Sequence, residues 1–212
     1  MSYVWMIRAF LVVGLFVYLV FSRIILRNRE KYRTILESGP LNLVFVVIYN
    51  ALCYAAVGLR SDPHVIVKPP VFETAIVSQW YSVLGQLLCL ASGGVLIYTI
   101  LKRRTIGGQD TGGLLTAGIY QFSRHPIYTG IILISLGIAL MRTNIDGMIV
   151  FPFVVFANII QAHLEEKYDV GVRFREQYDV YRKKTRMLGP VWFWVVLMLL
   201  LFIPLGIAAI QR

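Results

Sequence analysis

Between Gly118 and Gly130 the chain reads G-I-Y-Q-F-S-R-H-P-I-Y-T-G, which sets a guanidinium, an imidazole and two phenols where a polar loop turns into an apolar helix. Proline is favoured in the first turn of a helix, where its missing N–H costs nothing. Pro126 therefore marks the helix start, and Arg124 and His125 lie at its positive end. A cation beside free backbone N–H groups makes a site for an anion such as a carboxylate. Tyr120 and Tyr128 add flat faces with polar tips at a water–lipid boundary. The same residue types also make an interfacial anchor, which is common in membrane proteins, and on residue types alone that reading is the more frequent one.

A second cluster holds Asn158, Gln161, Glu165 and Glu166. Asn158, Gln161 and Glu165 are spaced three and four apart, so on a helix they share one face. Polar residues in or near a span usually face the bundle interior and often serve function. Asn158 and Gln161 could equally make interhelical hydrogen bonds. Glu165 and Glu166 point about 100° apart on a helix, which argues against a paired-carboxylate site. One of them could accept from a ribose diol while the other pairs with a Lys or Arg. His163 reads as interfacial rather than as a ligand. A third stretch, Phe174–Tyr181, carries Phe174, Tyr178 and Tyr181 as an aromatic stripe, with Arg173, Arg175, Arg182, Lys183, Lys184 and Arg186 around it. By itself it reads as an amphipathic helix at the inner membrane surface, drawn there by anionic lipid.

The elements that must position these clusters are apolar. Of 212 residues 58% are hydrophobic and only 15% charged, whereas soluble domains are about a quarter charged. The apolar residues form continuous blocks long enough to cross a bilayer, which takes about 20 of them. The expected fold is all-α, a polytopic integral membrane bundle of about six transmembrane helices: Tyr3–Leu26, Leu41–Leu59, Ile76–Leu101, Pro126–Met141, Met148–Leu164 and Val191–Ile210. The first block is too long in its apolar core for a signal peptide and lacks a small-residue cleavage pattern. Gly85, Ser92, Gly93 and Gly94 would let another helix approach the third span closely. The fourth and fifth spans form a hairpin around a tight turn at Arg142–Gly147. Prolines in Arg60–Val71 argue for an extended loop. The Gly107–Gly113 loop lacks the Gly-Lys-Ser/Thr of a phosphate loop. Cys53 and Cys89 lie in apolar runs and read as small buried hydrophobes, with no disulfide and no metal site.

The formal charge of +10 sits in loops between spans, which reports topology rather than nucleic-acid binding. Lys and Arg number five in Arg23–Arg33, four in Lys102–Arg124 and seven in Lys167–Arg186, against Arg60, Lys68 and Arg142 in the opposite loops. The positive-inside rule then places both termini outside and brings the Arg124-His125 loop and the Glu165–Arg186 segment to one cytoplasmic face.

Together these residues resemble a known family. Leu114–Gly130 is similar to the L-V-x-x-G-x-Y-x-x-x-R-H-P-x-Y-x-G element of the isoprenylcysteine carboxyl methyltransferases, shared by related membrane phospholipid methyltransferases. The family follows it with a helical hairpin, Glu-Glu, F-G-x-x-Y-x-x-Y and a basic stretch ending in Pro. Here these are Glu165-Glu166, Phe174–Tyr181 and Lys184–Pro190. The resemblance divides the chain into residues 1–113 (three spans and their loops), 114–190 (a methyltransferase core) and 191–212 (a last span). It implies S-adenosylmethionine as cofactor, held on the cytoplasmic side by Tyr120, Arg124, His125, Tyr128, Glu165 and Glu166. It also implies catalytic parts for Arg124, Glu166 and Arg186, and a lipophilic or prenylated acceptor drawn from membrane lipid. Arg175 departs from the family, which prefers Gly after Phe174, and His163 lies where the prenylcysteine enzymes carry arginines. The expected reaction is methyl transfer to a carboxylate. Alternatives are N-methylation of a phospholipid or other amine, an NADPH-dependent sterol-type reductase, whose comparable Arg-His loop is typically followed by Asn-Tyr, and a non-enzymatic membrane scaffold.

Overall fold

The computed structural model describes residues 3–32, 39–59, 74–103, 113–141 and 145–210. All regular structure among them is helical: α1 Tyr3–Arg27, α2 Gly39–Gly58, α3 Ala75–Arg103, the single turn α4 Ile119–Phe122, α5 Pro126–Met141, α6 Ile145–Glu165, α7 Gly171–Lys184 and α8 Val191–Ile210. A π-helical turn, Glu166–Val170, joins α6 to α7. The six apolar helices begin and end within a few residues of the expected spans. By length and composition α1, α3 and the apolar part of α6 are long enough to cross a membrane, and α2, α5 and α8 contribute shorter apolar helices. The apolar part of α6 ends near Leu164, where the polar stretch begins. The expected loops at 60–71 and 107–112, and the turn at 142–144, lie outside the described residues.

The bundle is built around α5. Its 16 residues span only about 24 Å, and they are buried nearly all round, as expected for a helix apolar on every face. It packs on α3, α6 and α2, most extensively on α3. That contact depends on two glycines. A Cβ at Gly85 would lie 2.6 Å from the Gly137 carbonyl oxygen, and one at Gly137 would lie 2.7 Å from that of Gly85. The backbones therefore meet directly, as small residues allow between membrane helices. The carbonyl oxygen of Ser92 also faces α5, 3.6 Å from the Cβ position of Gly130. Gly93 and Gly94 have nothing within 4 Å and do not serve the close approach expected of them.

Helices α1 and α6 run parallel in constant register. Arg8 pairs with Asp146, Ser22 with Gln161 and Arg29 with Asp169, at sequence separations of 138, 139 and 140. From Arg8 to Arg29 is about 31 Å of helical rise, close to the thickness of a bilayer core. The far end carries the costliest contact. Arg8 and Asp146 are almost fully buried and 2.8 Å apart. Arg8 also donates to the carbonyl of Leu59 just after α2 and stacks on Trp5.

The last helix packs in the bundle against α3. Pro204 has no N–H to give the carbonyl of Leu200 four residues back. The indole of Trp80 donates to that carbonyl instead, at 3.0 Å, and the Tyr81 hydroxyl donates to Leu201 at 2.7 Å.

Removing one partner of a buried ion pair strands the other as an unpaired charge, at about 3–5 kcal/mol. Arg8→Ala is expected to lower stability by that order in thermal unfolding in detergent. The double variant Arg8→Leu/Asp146→Leu is expected to recover most of the loss.

Candidate functional site

Arg124 and His125 are held first by their backbones. The N–H of Arg124 donates to the carbonyl of Arg186 at 3.0 Å, and that of His125 to the carbonyl of Met187 at 3.1 Å. Ser123 braces the turn. Its hydroxyl donates to the Met187 carbonyl at 2.8 Å, lies 3.0 Å from the Thr129 hydroxyl and accepts the His125 N–H at 3.2 Å. The strand of chain after α7 is fixed in turn by Gly189, at φ 99°, where a Cβ would sit 2.8 Å from the Phe122 ring. The N–H groups of Arg124 and His125 are therefore not free. Both are taken by the 186–187 carbonyls, and the anion is held by side chains.

That anion belongs to the chain. The Glu166 Oε1 atom accepts from Arg124 Nε at 2.9 Å, lies 2.8 Å from Arg124 Nη2 and is 3.0 Å from His125 Nε2. The remaining Arg124 nitrogen donates to the carbonyls of Thr185 at 2.6 Å and Arg182 at 3.1 Å. Every arm of the guanidinium is engaged within the protein. Glu165 turns to the other side of the imidazole, 3.6 Å from His125 Nδ1, and accepts from the Tyr128 hydroxyl. The two carboxylates thus do not pair, as their helical spacing requires, but His125 sits between them. They differ in exposure: 7% for the Glu166 side chain and 26% for Glu165.

The electrostatics follow from this packing. Burial works against charge on His125, yet hydrogen bonds and charge from Glu165 and Glu166 outweigh it and raise its pKa above 6.5. Burial likewise tends to raise Glu166, but its hydrogen bonds and the charges of His125 and Arg124 bring it down to about 2.

A small cavity of about 30 Å³ is lined by His125, Pro126, Ile127, Tyr128 and Glu165. It has room for about a water molecule. The described residues thus offer contacts along one edge of a larger ligand rather than an envelope around it. Tyr120 is buried away from that edge. It joins Tyr178 and Tyr181 in an aromatic cluster, and its carbonyl accepts from the Tyr181 hydroxyl. The stripe of α7 therefore packs under the loop. Arg186 contributes its carbonyl to the frame while its side chain is exposed, and His163 is exposed on α6.

Arg175 has φ 38° and ψ −114°, a conformation suited to glycine. The family's preference for Gly at this position has its physical reason here. The kink turns α7 so that Tyr178 and Tyr181 reach the cluster. Sequence reasoning missed Ser123, whose hydroxyl organises the turn. A Ser three residues before a helix-starting Pro was the available signal.

Residues 80–170 match the phospholipid methyltransferase family. The match begins in α3 and ends with the π turn, so it includes the loop and both glutamates and stops short of α7. Among curated proteins the chain is 33% identical over 80 residues to protein-S-isoprenylcysteine O-methyltransferase A of Arabidopsis thaliana, covering 38% of this chain and 41% of that protein. It is 32% identical over 72 residues to protein-S-isoprenylcysteine O-methyltransferase of Schizosaccharomyces pombe, covering 34% and 30%. It is 28% identical over 107 residues to protein-S-isoprenylcysteine O-methyltransferase B of Arabidopsis thaliana, covering 49% and 52%. The chain thus spans about a third to a half of the length of the curated relatives it matches. No solved structure matches at comparable significance. These likenesses favour methyl transfer over the reductase and scaffold alternatives.

The ion pairs predict a pH profile. His125, raised in the folded state, contributes stability that is complete below pH 6.5 and is lost as pH rises through its folded pKa. Glu166, depressed, contributes stability that is complete above pH 4.5 and is lost as pH falls toward about 2. Thermal melting of the protein in detergent is expected to be highest between pH 4.5 and 6.5. Glu166→Gln is expected to remove the acid limb and to leave an alkaline limb held by Glu165.

Proposed function

We propose that this chain is an integral membrane methyltransferase that uses S-adenosylmethionine to methylate a carboxylate on a lipophilic, prenylated acceptor. The observation that carries this is the division between the glutamates, inside a stretch matching the phospholipid methyltransferase family. Glu166 is committed to Arg124 and His125, while Glu165 lines the cavity with a quarter of its side chain exposed. The charge pattern supports a site on the cytoplasmic face.

The donor set suits part of such a cofactor. Glu165 can accept from ribose hydroxyls or an ammonium group, with Tyr128 and His125 fixing its orientation. Arg124 and Glu166 act through the frame, by holding the loop that carries His125. Tyr120 supports that loop from below. When bound, S-adenosylmethionine supplies a methyl group on a positively charged sulfur, so the new O–C bond forms as the S–C bond breaks and a neutral thioether leaves. A carboxylate acceptor is ionised at neutral pH and needs no base. The protein's task is to position it and keep water away. Arg186, exposed just after α7, is the guanidinium we assign to orient that carboxylate.

The match to the phospholipid methyltransferase family supports a phospholipid, methylated on a head-group amine, as second reading. An amine must first lose a proton. With Glu166 held ionised and committed to Arg124 and His125, Glu165 is the carboxylate we assign to take it.

Purified protein in detergent is expected to bind S-adenosylhomocysteine saturably in calorimetry and to ignore NADPH. Binding of NADPH alone would move the chain to the reductases, and binding of neither by folded protein would remove the enzyme reading.

A further inference from the structure

The interior between α1, α2 and α6 contains amides that the frame does not use up. Asn158 is fully buried, and its Nδ2 donates to the Val154 carbonyl at 2.8 Å, which fixes the orientation of the amide. Its Oδ1 has no hydrogen-bond partner among the described residues. Gln161, 6% exposed, donates from Nε2 to the Ser22 hydroxyl at 2.8 Å, and its Oε1 is equally unpartnered. Unpaired polar atoms in a membrane interior are costly and seldom kept without use. Tyr49 and Cys53 face the same interior from α2, with the Cys53 sulfur 3.9 Å from Asn158 Nδ2.

This seam leads to the site. Gln161 lies one turn before Glu165 on the same face of α6, about 6 Å of helical rise away. Side chains on a helix lean toward its N-terminus, so Glu165 leans over the turn that carries Gln161. Tyr49 meets Tyr128 edge-on at 6.4 Å, and the Tyr128 hydroxyl donates to Glu165. The unmet capacity on α6 is two acceptor oxygens, those of Asn158 and Gln161, with the unpartnered Tyr49 hydroxyl facing them from α2. Those two oxygens receive an N–H or O–H and disfavour a carboxylate.

We propose that Asn158 and Gln161 form the subsite for the hydrogen-bond-donating part of the acceptor's head group, seated on the membrane side of Glu165. This rests on the methyl-transfer reading and deepens it. For a prenylated cysteine, the donor is the backbone N–H beside the carboxylate to be methylated.

The test compares N-acetyl-S-farnesylcysteine with S-farnesyl-3-mercaptopropionate, which keeps the tail and the carboxylate but has no N–H. Each is titrated into protein saturated with S-adenosylhomocysteine. Wild type is expected to bind the first about tenfold more tightly. In Gln161→Met and Asn158→Leu that preference is expected to shrink toward unity, with S-adenosylhomocysteine affinity unchanged as the control for folding. Three results overturn the subsite: equal binding of the two acceptors by wild type, binding of neither by protein that takes S-adenosylhomocysteine, or an undiminished preference in both variants. In the last case the amides serve packing or hydration alone. Failure of wild type to bind S-adenosylhomocysteine would instead remove the methyl-transfer reading on which the subsite rests.

Discussion

The site depends on one buried anion. Glu166 Oε1 gathers the guanidinium of Arg124 and the imidazole of His125 within 3.0 Å. A carboxylate this deeply buried is tolerable only when paired and hydrogen-bonded, so its position dictates those of its partners. Arg124 in turn reaches the carbonyls of Arg182 and Thr185. The anion thereby joins the start of α5, the end of α6 and the end of α7, which are far apart in sequence. Glu165, one residue earlier, faces the other side of His125 and keeps its partial exposure because its neighbour has taken the cations.

A second constraint runs the length of the bundle. The contacts between α1 and α6 hold one register from the buried Arg8–Asp146 pair to the Arg29–Asp169 pair beside the π turn. A helix that cannot slide fixes the height at which Asn158, Gln161 and Glu165 appear. The glycine contact between α3 and α5 does the same for the Arg-His-Pro loop, since α5 is too short to reach both membrane faces by itself. α8 adds to this frame through Trp194, whose indole donates to the Leu188 carbonyl.

The spans were legible because apolar runs of this length have few other fates, and Pro126 announced the start of α5 correctly. The shared face of Asn158, Gln161 and Glu165 followed from helical spacing. What the chain order could not reveal was the partner of each group. Arg124 and His125 looked like a site waiting for an outside anion, but residues 166 and 186–187 had already filled it. Such long-range pairings are set by packing and carry no local signal. Gly93 and Gly94 likewise look the same as Gly85 in sequence, and only the direction in which each faces separates them. Arg175 was visible as a departure from a family pattern, but its positive φ explains the pattern only once the kink in α7 is seen.

The central claim is that the adjacent glutamates divide the work, Glu166 holding the frame and Glu165 meeting the ligand. The most direct measurement is the melting temperature and S-adenosylhomocysteine affinity of Glu165→Gln and Glu166→Gln side by side. The account predicts that Glu166→Gln lowers the melting temperature more than Glu165→Gln does, and that Glu165→Gln has the larger loss of binding. The reverse pattern, with Glu165→Gln destabilising and Glu166→Gln selectively losing the ligand, would contradict it.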